Sequence, residues 1–155
     1  MGYTHYLTIP KTKPVKGTAE RNEKRYQLAI KDCQRIIRRF SKLNGGLSGF
    51  TAHTKVGKYG GIEVNGSREN GHETFILREH FRDNEDFSFC KTAQKPYDVV
   101  VVACLTVLQH RLKGAVKVAS DGDTKEWEQG VAMAKRVTGL QLSNPIKEEI
   151  EEEIA

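Results

Sequence analysis

Four short polar clusters contain residue types that could do chemistry. Their hydroxyls, imidazoles, amines and carboxylates sit at the ends of predicted strands and helices, where binding and catalytic sites tend to form. Cations and hydroxyls bind phosphate, and histidines exchange protons or hydrogen-bond a ligand near neutral pH. The clusters therefore indicate a pocket for a small anionic ligand. They are Thr4–Tyr6, Gly71–Glu73, Cys90–Lys95 and Ser120–Asp123.

The third cluster precedes a predicted helix that has Pro96 at its first position. Lys91, Thr92 and Lys95 would then lie beside free N–H groups at the start of that helix, an arrangement that binds phosphate well. The structural alternative is a solvated basic loop with a helix cap, because the segment is not a P-loop. The sequence leaves both interpretations open.

Three aromatic residues flank this basic cluster. Tyr97, Phe87 and Phe89 could stack on a base, as aromatic side chains do in nucleotide and single-strand binders. Packing in the core is the structural alternative for most of them.

Two histidines are candidates for acid–base catalysis or for hydrogen bonding to a ligand. His5 and His72 have the right side chain, although an isolated histidine is more often structural. Strand alternation puts Tyr6 on the face opposite to His5, so the first cluster cannot line one pocket with all its residues. Glu73 or Asp121 could orient a histidine in an enzyme, and Asp121 could instead hydrogen-bond a ribose or a base.

Metal binding and cysteine chemistry are weaker hypotheses. The possible ligands match no known spacing of a metal site; they are His72, Glu73, Asp121 and Asp123. Because Asp-Gly-Asp is typical of a turn and helix cap, no metal or cofactor is predicted. Cys90 near a helix start could be a nucleophile, but cysteines are commonly buried and inert. The three cysteines form no Cys-x-x-Cys pair, so reduced thiols are expected.

The elements that must position these clusters follow from hydrophobic periodicity and from glycine and proline positions. The pattern predicts the order β-α-β-β-β-α-β-α, an α+β two-layer sandwich in which a mainly antiparallel sheet packs with about three helices. Residues 81–94 are predicted to be a polar loop. The predicted elements are a strand at Tyr3–Ile9, a helix at Thr18–Leu43, a three-stranded meander at Phe50–Leu77, a helix at Tyr97–Leu112, a strand at Ala115–Ala119 and a helix from Asp123 to Val137.

Length and charge indicate one domain with an acidic tail. The 155 residues fit a single domain over residues 1–140, followed by a tail over 141–155. The net charge is +5, but five of the 20 acidic residues lie in the last eight positions. The rest of the chain is strongly basic and favours anionic partners, although such a charge also serves plain solubility.

The apolar segments do not predict a membrane protein. The strongest apolar run, Val99–Leu108, is much shorter than the roughly 20 residues that a membrane span needs. The N-terminal residues show no signal-peptide pattern, so we expect a cytoplasmic protein.

The four clusters also carry a resemblance to known sequences. The chain resembles a family of small phage and bacterial proteins that open with Met-Gly-Tyr-Thr-His-Tyr. Two departures are visible: Leu7 stands where the family usually has Trp, and Gln94 where it often has Arg, which removes one charge from the phosphate hypothesis. The resemblance spans most of the chain through Met1–Tyr6, Gly71–Phe75, Phe89–Asp98 and Ser120–Asp123.

The resemblance implies a phage origin and a shared polar site rather than a reaction. Small phage proteins of this kind often look like counter-defence factors, and some of those sequester the nucleotide signals of bacterial immunity. A compact basic domain with a pocket fits such a role by analogy. For a phage protein, the expected location is the cytoplasm of the host cell.

The leading hypothesis is a binder that sequesters a cyclic-nucleotide or ADP-ribose type of signal without turnover. The expected ligand-binding residues are His5, Tyr6, His72, Glu73, Lys91, Thr92, Lys95, Tyr97 and Asp121. One alternative is a nucleotide hydrolase or transferase that uses His72 or His5. Another is a module that binds protein or nucleic acid through the basic segment 11–25 and the tail. A homo-oligomer is also left open.

Overall fold

The computed structural model describes residues 3–10, 16–44, 47–48 and 61–146. Within them the chain forms six strands, three α-helices and two short 3-10 turns, Arg68–Asn70 and Phe81–Asp83. The elements are β1 (Thr4–Thr8), α1 (Thr18–Asn44), β2 (Leu47–Ser48), β3 (Ile62–Gly66), β4 (Phe75–Leu77), β5 (Phe87–Lys91), α2 (Asp98–Arg111), β6 (Lys117–Ser120) and α3 (Thr124–Thr138).

The strands make two antiparallel sheets. Sheet A has the order β5-β1-β6, and sheet B has the order β2-β3-β4. In sheet A, His5 lies opposite Cys90 and Ser120, and Tyr6 lies opposite Phe89 and Ala119. Since strand residues alternate between faces, sheet A buries one set of side chains and turns the other set outward.

The three helices pack against one another and supply most of the core, with α2 in contact with β6 of sheet A and α1 in contact with β3 of sheet B. Helix α2 packs against both α1 and α3, and all of its residues from Val100 to Leu108 are buried. The valines of α2 favour strands by intrinsic propensity. This apolar segment is helical nevertheless, because packing on all sides of a buried helix outweighs intrinsic propensity. Helix α3 begins with a complete capping box between Asp123 and Glu126 and ends at Gly139, which has a positive φ of 74°.

The α+β class and the main helices predicted from the sequence are confirmed. The prediction of a polar loop over 81–94 is wrong, because this segment contains β5, which pairs with β1 over its whole length. The element order therefore has one more strand, and the order predicted from the sequence is corrected to β-α-β-β-β-β-α-β-α. Acidic residues just before β5 obscured its Phe-Ser-Phe-Cys alternation.

Smaller differences concern element boundaries. Helix α2 begins at Asp98 with Tyr97 as its N-cap, so Pro96 lies outside the helix rather than at its first position. The last predicted strand is displaced to Lys117–Ser120. Of the predicted meander, β3 and β4 are seen, residues 49–60 lie outside the described residues, and β2 lies just before Phe50. The acidic tail beyond Ile146 also lies outside the described residues.

Among the described residues, no helix has both the length and the apolar character needed to cross a membrane.

A glycine at the contact between α2 and α3 generates a prediction about packing. A Cβ atom on Gly130 would lie 2.7 Å from Cβ of Val102 and 3.1 Å from the carbonyl oxygen of Val99. Helix propensity alone would make Gly130→Ala stabilising by about 1 kcal/mol. We expect the clash to dominate and the free energy of unfolding, measured in urea, to fall by about 1–3 kcal/mol.

The matched control is the same change in a Val102→Ala background. Val102→Ala removes the Cγ atoms but keeps Cβ at 2.7 Å, so Gly130→Ala should still destabilise the protein in this background, by less than in the wild type. An equal loss in both backgrounds would contradict this account of the helix contact.

Candidate functional site

The four polar clusters of the sequence meet at one end of sheet A. Strand β1 begins there, while β5 and β6 end there, because β1 is antiparallel to both neighbours. The main-chain N–H of Thr4 donates to Asp121 at 3.1 Å, and the hydroxyl of Tyr6 donates to the other oxygen of the same carboxylate at 3.1 Å. The N–H of Glu73 donates to the carbonyl of Lys91 at 3.1 Å. Segments far apart in the chain are thus joined directly.

At the centre lies a hydrogen-bonded group that we call the polar junction: His5, Thr92, Asp98 and Ser120. His5 is only 1% exposed. Its Nε2 lies 2.6 Å from Oδ1 of Asp98, and its Nδ1 lies 2.8 Å from Oγ of Ser120. The hydroxyl of Thr92 donates to the same Asp98 oxygen at 2.5 Å. The junction therefore connects β1, β6, the turn after β5 and the first residue of α2.

Counting donors and acceptors limits the hydrogen positions in the junction. Oγ of Ser120 accepts from the indole N–H of Trp127 at 3.1 Å and from the N–H of Gly122 at 2.8 Å. A hydroxyl has two acceptor lone pairs and one hydrogen, which Ser120 can donate to Nδ1 of His5 or to the hydroxyl of Tyr3, its further partner. When Ser120 donates to Nδ1, the ring hydrogen of His5 lies on Nε2 and is donated to Asp98.

The junction contains serine, histidine and aspartate but does not have the arrangement of a nucleophilic site. A serine nucleophile attacks with a free lone pair, and its histidine must reach the substrate. Both lone pairs of Ser120 are occupied, and the ring of His5 is enclosed edge-on by Tyr3 and Trp127, with ring centroids 5.1 Å and 5.2 Å away. In this arrangement the polar junction ties β1, β6 and α2 together and does not present Ser120 as a nucleophile.

The basic cluster before α2 is largely occupied by contacts within the protein. Thr92 is fully buried, and its N–H donates to the carbonyl of Tyr3 at 3.1 Å. The N–H of Lys95 donates to Thr92, and the N–H of Asp98 donates to Lys95. Few N–H groups at this helix start are therefore left for a phosphate. Lys91 is exposed and Lys95 is half-buried.

The remaining predicted site residues lie around the turn at Glu73. The hydroxyl of Tyr97 donates to the carbonyl of Glu73 at 2.5 Å, and a carboxylate oxygen of Glu73 accepts from the N–H of Lys91 at 2.8 Å. Tyr97 is buried, and this burial raises the pKa of its hydroxyl above the ordinary value. It holds the turn in place and does not present a ring for stacking. His72 is exposed on the same turn, with its main chain held by Asn65.

The outward side of sheet A carries three aromatic rings, which we call the aromatic face: Tyr6, Phe87 and Phe89. Both phenylalanines are 54% exposed. The rings of Tyr6 and Phe87 stack with centroids 6.1 Å apart, and those of Phe87 and Phe89 are 6.4 Å apart. By strand alternation, the exposed Lys91 and Lys117 lie on the same side.

A cleft between β4 and β5 adjoins the aromatic face. It encloses about 200 Å³ and is lined by Tyr6 and Phe89, by Ile76 of β4 and, more deeply, by Cys90 and Leu105. Burial raises the pKa of the Cys90 thiol to about 12, and its sulfur donates to the carbonyl of Glu73. The thiol is therefore an inert part of the wall.

Sequence reasoning placed Phe87 and Phe89 in a loop and so missed the face that they form with Tyr6. The alternation of Phe87, Ser88, Phe89 and Cys90 is the signal that could have found it.

Metal binding receives no support in the described part of the chain. Over residues 3–10, 16–44, 47–48 and 61–146, no group of three or more histidine, cysteine, aspartate or glutamate side chains is placed to hold a metal ion.

Comparison of the chain with family models, with curated proteins and with solved structures finds no match in any of the three.

The polar junction generates a prediction about stability. His5→Ala removes the partner of the Asp98 carboxylate and of the Ser120 hydroxyl in a buried site. We expect the free energy of unfolding to fall by about 2–4 kcal/mol. Urea denaturation measures it, with the exposed His72→Ala as the control, which should stay within about 0.5 kcal/mol of wild type. Equal stability of both variants would show that the junction contributes nothing to the fold.

The cysteines generate a prediction about reactivity. Because burial raises the pKa of Cys90 from 9.0 to about 12, only about one thiol in a thousand is ionised at pH 9, where an ordinary cysteine is half ionised. Cys33 and Cys104 are also buried. We expect Ellman's reagent at pH 9 to label all three only after unfolding in guanidinium chloride. Rapid stoichiometric labelling of Cys90 in the native protein, located by peptide mapping, would contradict this.

Proposed function

We propose that the protein binds a small nucleotide-type ligand on the aromatic face and holds it without chemical change. The observation that carries the proposal is the clustering of exposed apolar side chains. Among the described residues, the large hydrophobic side chains that are exposed are Leu28, Ile76, Phe87 and Phe89. Three of these four border the aromatic face or the cleft beside it, and such a patch is typical of an interaction site.

The chemistry of the patch suits a nucleobase. Aromatic side chains on an open sheet stack on bases, and each stacked base contributes about 1–3 kcal/mol. The exposed Lys91 and Lys117 at the border of the rings supply positive charge that supports binding of a phosphate group. The carboxylate of Asp121, which already accepts from Thr4 and Tyr6, retains lone pairs for a ribose hydroxyl.

The surrounding charges favour a small ligand over a nucleic-acid strand. A strand requires a continuous track of positive charge for its successive phosphates. In the described part of sheet A and its border, Lys91 and Lys117 alternate with the exposed acidic side chains of Glu85, Asp86 and Asp121. Such a mixed border suits one or two phosphate groups and repels a longer polyanion.

Binding without turnover is supported by the state of the buried polar groups. His5 and Ser120 have all their hydrogen-bonding positions occupied by protein partners. Neither is available to take a proton from water or to attack a phosphate. The exposed His72 remains as the base that a hydrolase would need, and the experiment below tests for product.

The biological role that we propose follows from the resemblance to phage proteins. A phage protein that retains a nucleotide signal in the host cytoplasm would counteract bacterial immunity without destroying the signal. Cyclic dinucleotides, cyclic trinucleotides and ADP-ribose derivatives are the ligand classes that fit this role.

The direct test is a thermal-shift screen of the purified protein against these three classes. At a ligand concentration 100 times the Kd, binding adds about 2.7 kcal/mol, which raises the Tm of a domain of this size by about 5–10 °C. Chromatography after incubation should return the stabilising ligand intact. Recovery of an altered ligand would identify an enzyme, and the absence of any shift would reject the nucleotide proposal.

Removing one ring of the aromatic face should weaken binding strongly. We expect Phe89→Ala and Phe87→Ala each to raise the Kd by about 5- to 150-fold in calorimetric titration, since each ring stacks on a base. The matched control is Leu28→Ala, which removes another exposed apolar side chain, 46% exposed, on α1 rather than on sheet A. If Leu28→Ala weakened binding as much as the two phenylalanine changes, the ligand would lie elsewhere.

A further inference from the structure

Strands β4 and β5 are neighbours that do not form a ladder with each other. They are held together at one end by the bond from Glu73 to Lys91, at 3.1 Å. At the other end the N–H of Arg78 donates to the side chain of Asn84, at 3.0 Å. Between these two points, β4 pairs with β3 on the side away from β5. Likewise, β5 pairs with β1 on the side away from β4. The cleft thus separates two strand edges.

The main-chain groups that face the cleft follow from the alternation of an antiparallel ladder. The N–H of Ile9 donates to the carbonyl of Asp86 at 2.7 Å, so Asp86 points toward β1. Lys91 bonds to Glu73 and so points away from β1. Phe89, two residues before Lys91, therefore turns its N–H and carbonyl toward the cleft.

The same argument applies to the opposite wall. The N–H of Arg78 points across the gap to Asn84, so Ile76, two residues earlier, also turns its N–H and carbonyl toward the cleft. Neither the ladder of sheet A nor that of sheet B uses these groups of Phe89 and Ile76. The N–H and carbonyl of Phe89 thus line one wall of the cleft, and the N–H and carbonyl of Ile76 line the other wall.

The depth of the cleft depends on small side chains. Ser88 and Cys90 point inward from β5 and leave space that ends at Leu105 of α2. The volume of about 200 Å³ is smaller than the roughly 300–1,000 Å³ of pockets for whole drug-sized ligands, so it suits a single heterocyclic ring system.

An inserted peptide strand is not a suitable occupant. The bonds at Glu73–Lys91 and Arg78–Asn84 close the gap at both ends of a β4 segment of only four residues. A peptide strand could therefore not continue along either edge beyond this short gap, and it would form only a few ladder hydrogen bonds.

We infer that the base of the bound nucleotide enters this cleft and that main-chain groups of Phe89 and Ile76 read its edge. The inference rests on the proposed function and adds selectivity to it. Base edges present acceptors and donors side by side, which matches the N–H and carbonyl of one strand residue. Stacking on the aromatic face alone tolerates every base, whereas pairing with the cleft discriminates between bases.

The test is an NMR titration of the 15N-labelled protein with AMP, GMP, CMP and UMP, using ribose 5-phosphate as the control without a base. We expect the amide signals of Phe89 and Ile76 to shift with the preferred base and not with ribose 5-phosphate. The affinities of the best and worst base should differ by about 5- to 150-fold, as expected for a two-bond base contact.

Two variants of one residue separate the cleft from the aromatic face. Ser88→Leu places a larger side chain in the inner part of the cleft. It should abolish the amide shifts of Phe89 and Ile76 and the discrimination between bases, leaving weaker binding that is similar for all bases. Ser88→Ala removes the hydroxyl but keeps the space, so it should retain the discrimination between bases. The wild-type titration decides the question even if Ser88→Leu does not fold.

The outcomes distinguish the inference from the function on which it rests. Binding that shifts signals of Tyr6 and Phe87 equally for all four nucleotides, with no change at Ile76 or Phe89, would overturn the inference and leave the proposed function standing. The absence of shifts anywhere with all four nucleotides would also overturn the inference, whereas the proposed function fails only if the thermal-shift screen of the larger ligands is negative as well.

Discussion

A histidine buried in the core must have both ring nitrogens paired, and this requirement organises the end of sheet A. His5 meets it with Asp98 from α2 and Ser120 from β6, and Ser120 is held in turn by Trp127 from α3. Each partner comes from a different element, so the pairing fixes the elements relative to β1. An unpaired nitrogen at this depth would cost about 1–3 kcal/mol.

The orientation of His5 also decides what the protein presents to its surroundings. Successive strand residues face opposite sides, so an inward His5 turns Tyr6 outward, beside Phe89 on the neighbouring strand. The same short segment therefore supplies an anchor for the core and a ring for the surface. The four polar clusters converge as a ligand site would require, yet most of their polar groups bond to one another. Tyr6, His72, Lys91 and Asp121 keep part of their surface for other contacts.

Local patterns predicted the helices well. The spacing of apolar residues in α1, the length of the apolar run in α2 and the Asp123–Glu126 capping box each depend on residues within a few turns of one another. The alternation around His5 also correctly separated it from Tyr6. These features need no knowledge of the rest of the chain.

The arrangement of the site could not be predicted in this way, because it depends on pairing between distant segments. Strand β1 pairs with β5 and β6, which follow it by more than 80 residues. Thr92 looked like a phosphate ligand because its local sequence is basic, but its hydroxyl is committed to Asp98 in the folded chain. Tyr97 looked like a stacking ring, but its hydroxyl holds the turn at Glu73. Only the tertiary contacts of these side chains reveal their roles.

The central claim is that a nucleotide-type ligand lies on the aromatic face. The most direct measurement is the pattern of nuclear Overhauser effects between base protons of bound ADP-ribose or a bound cyclic dinucleotide and the aromatic ring protons of the protein. The account predicts contacts to the rings of Tyr6, Phe87 and Phe89. Contacts confined to the ring of His72 or to side chains of α1, with none to these three rings, would contradict it.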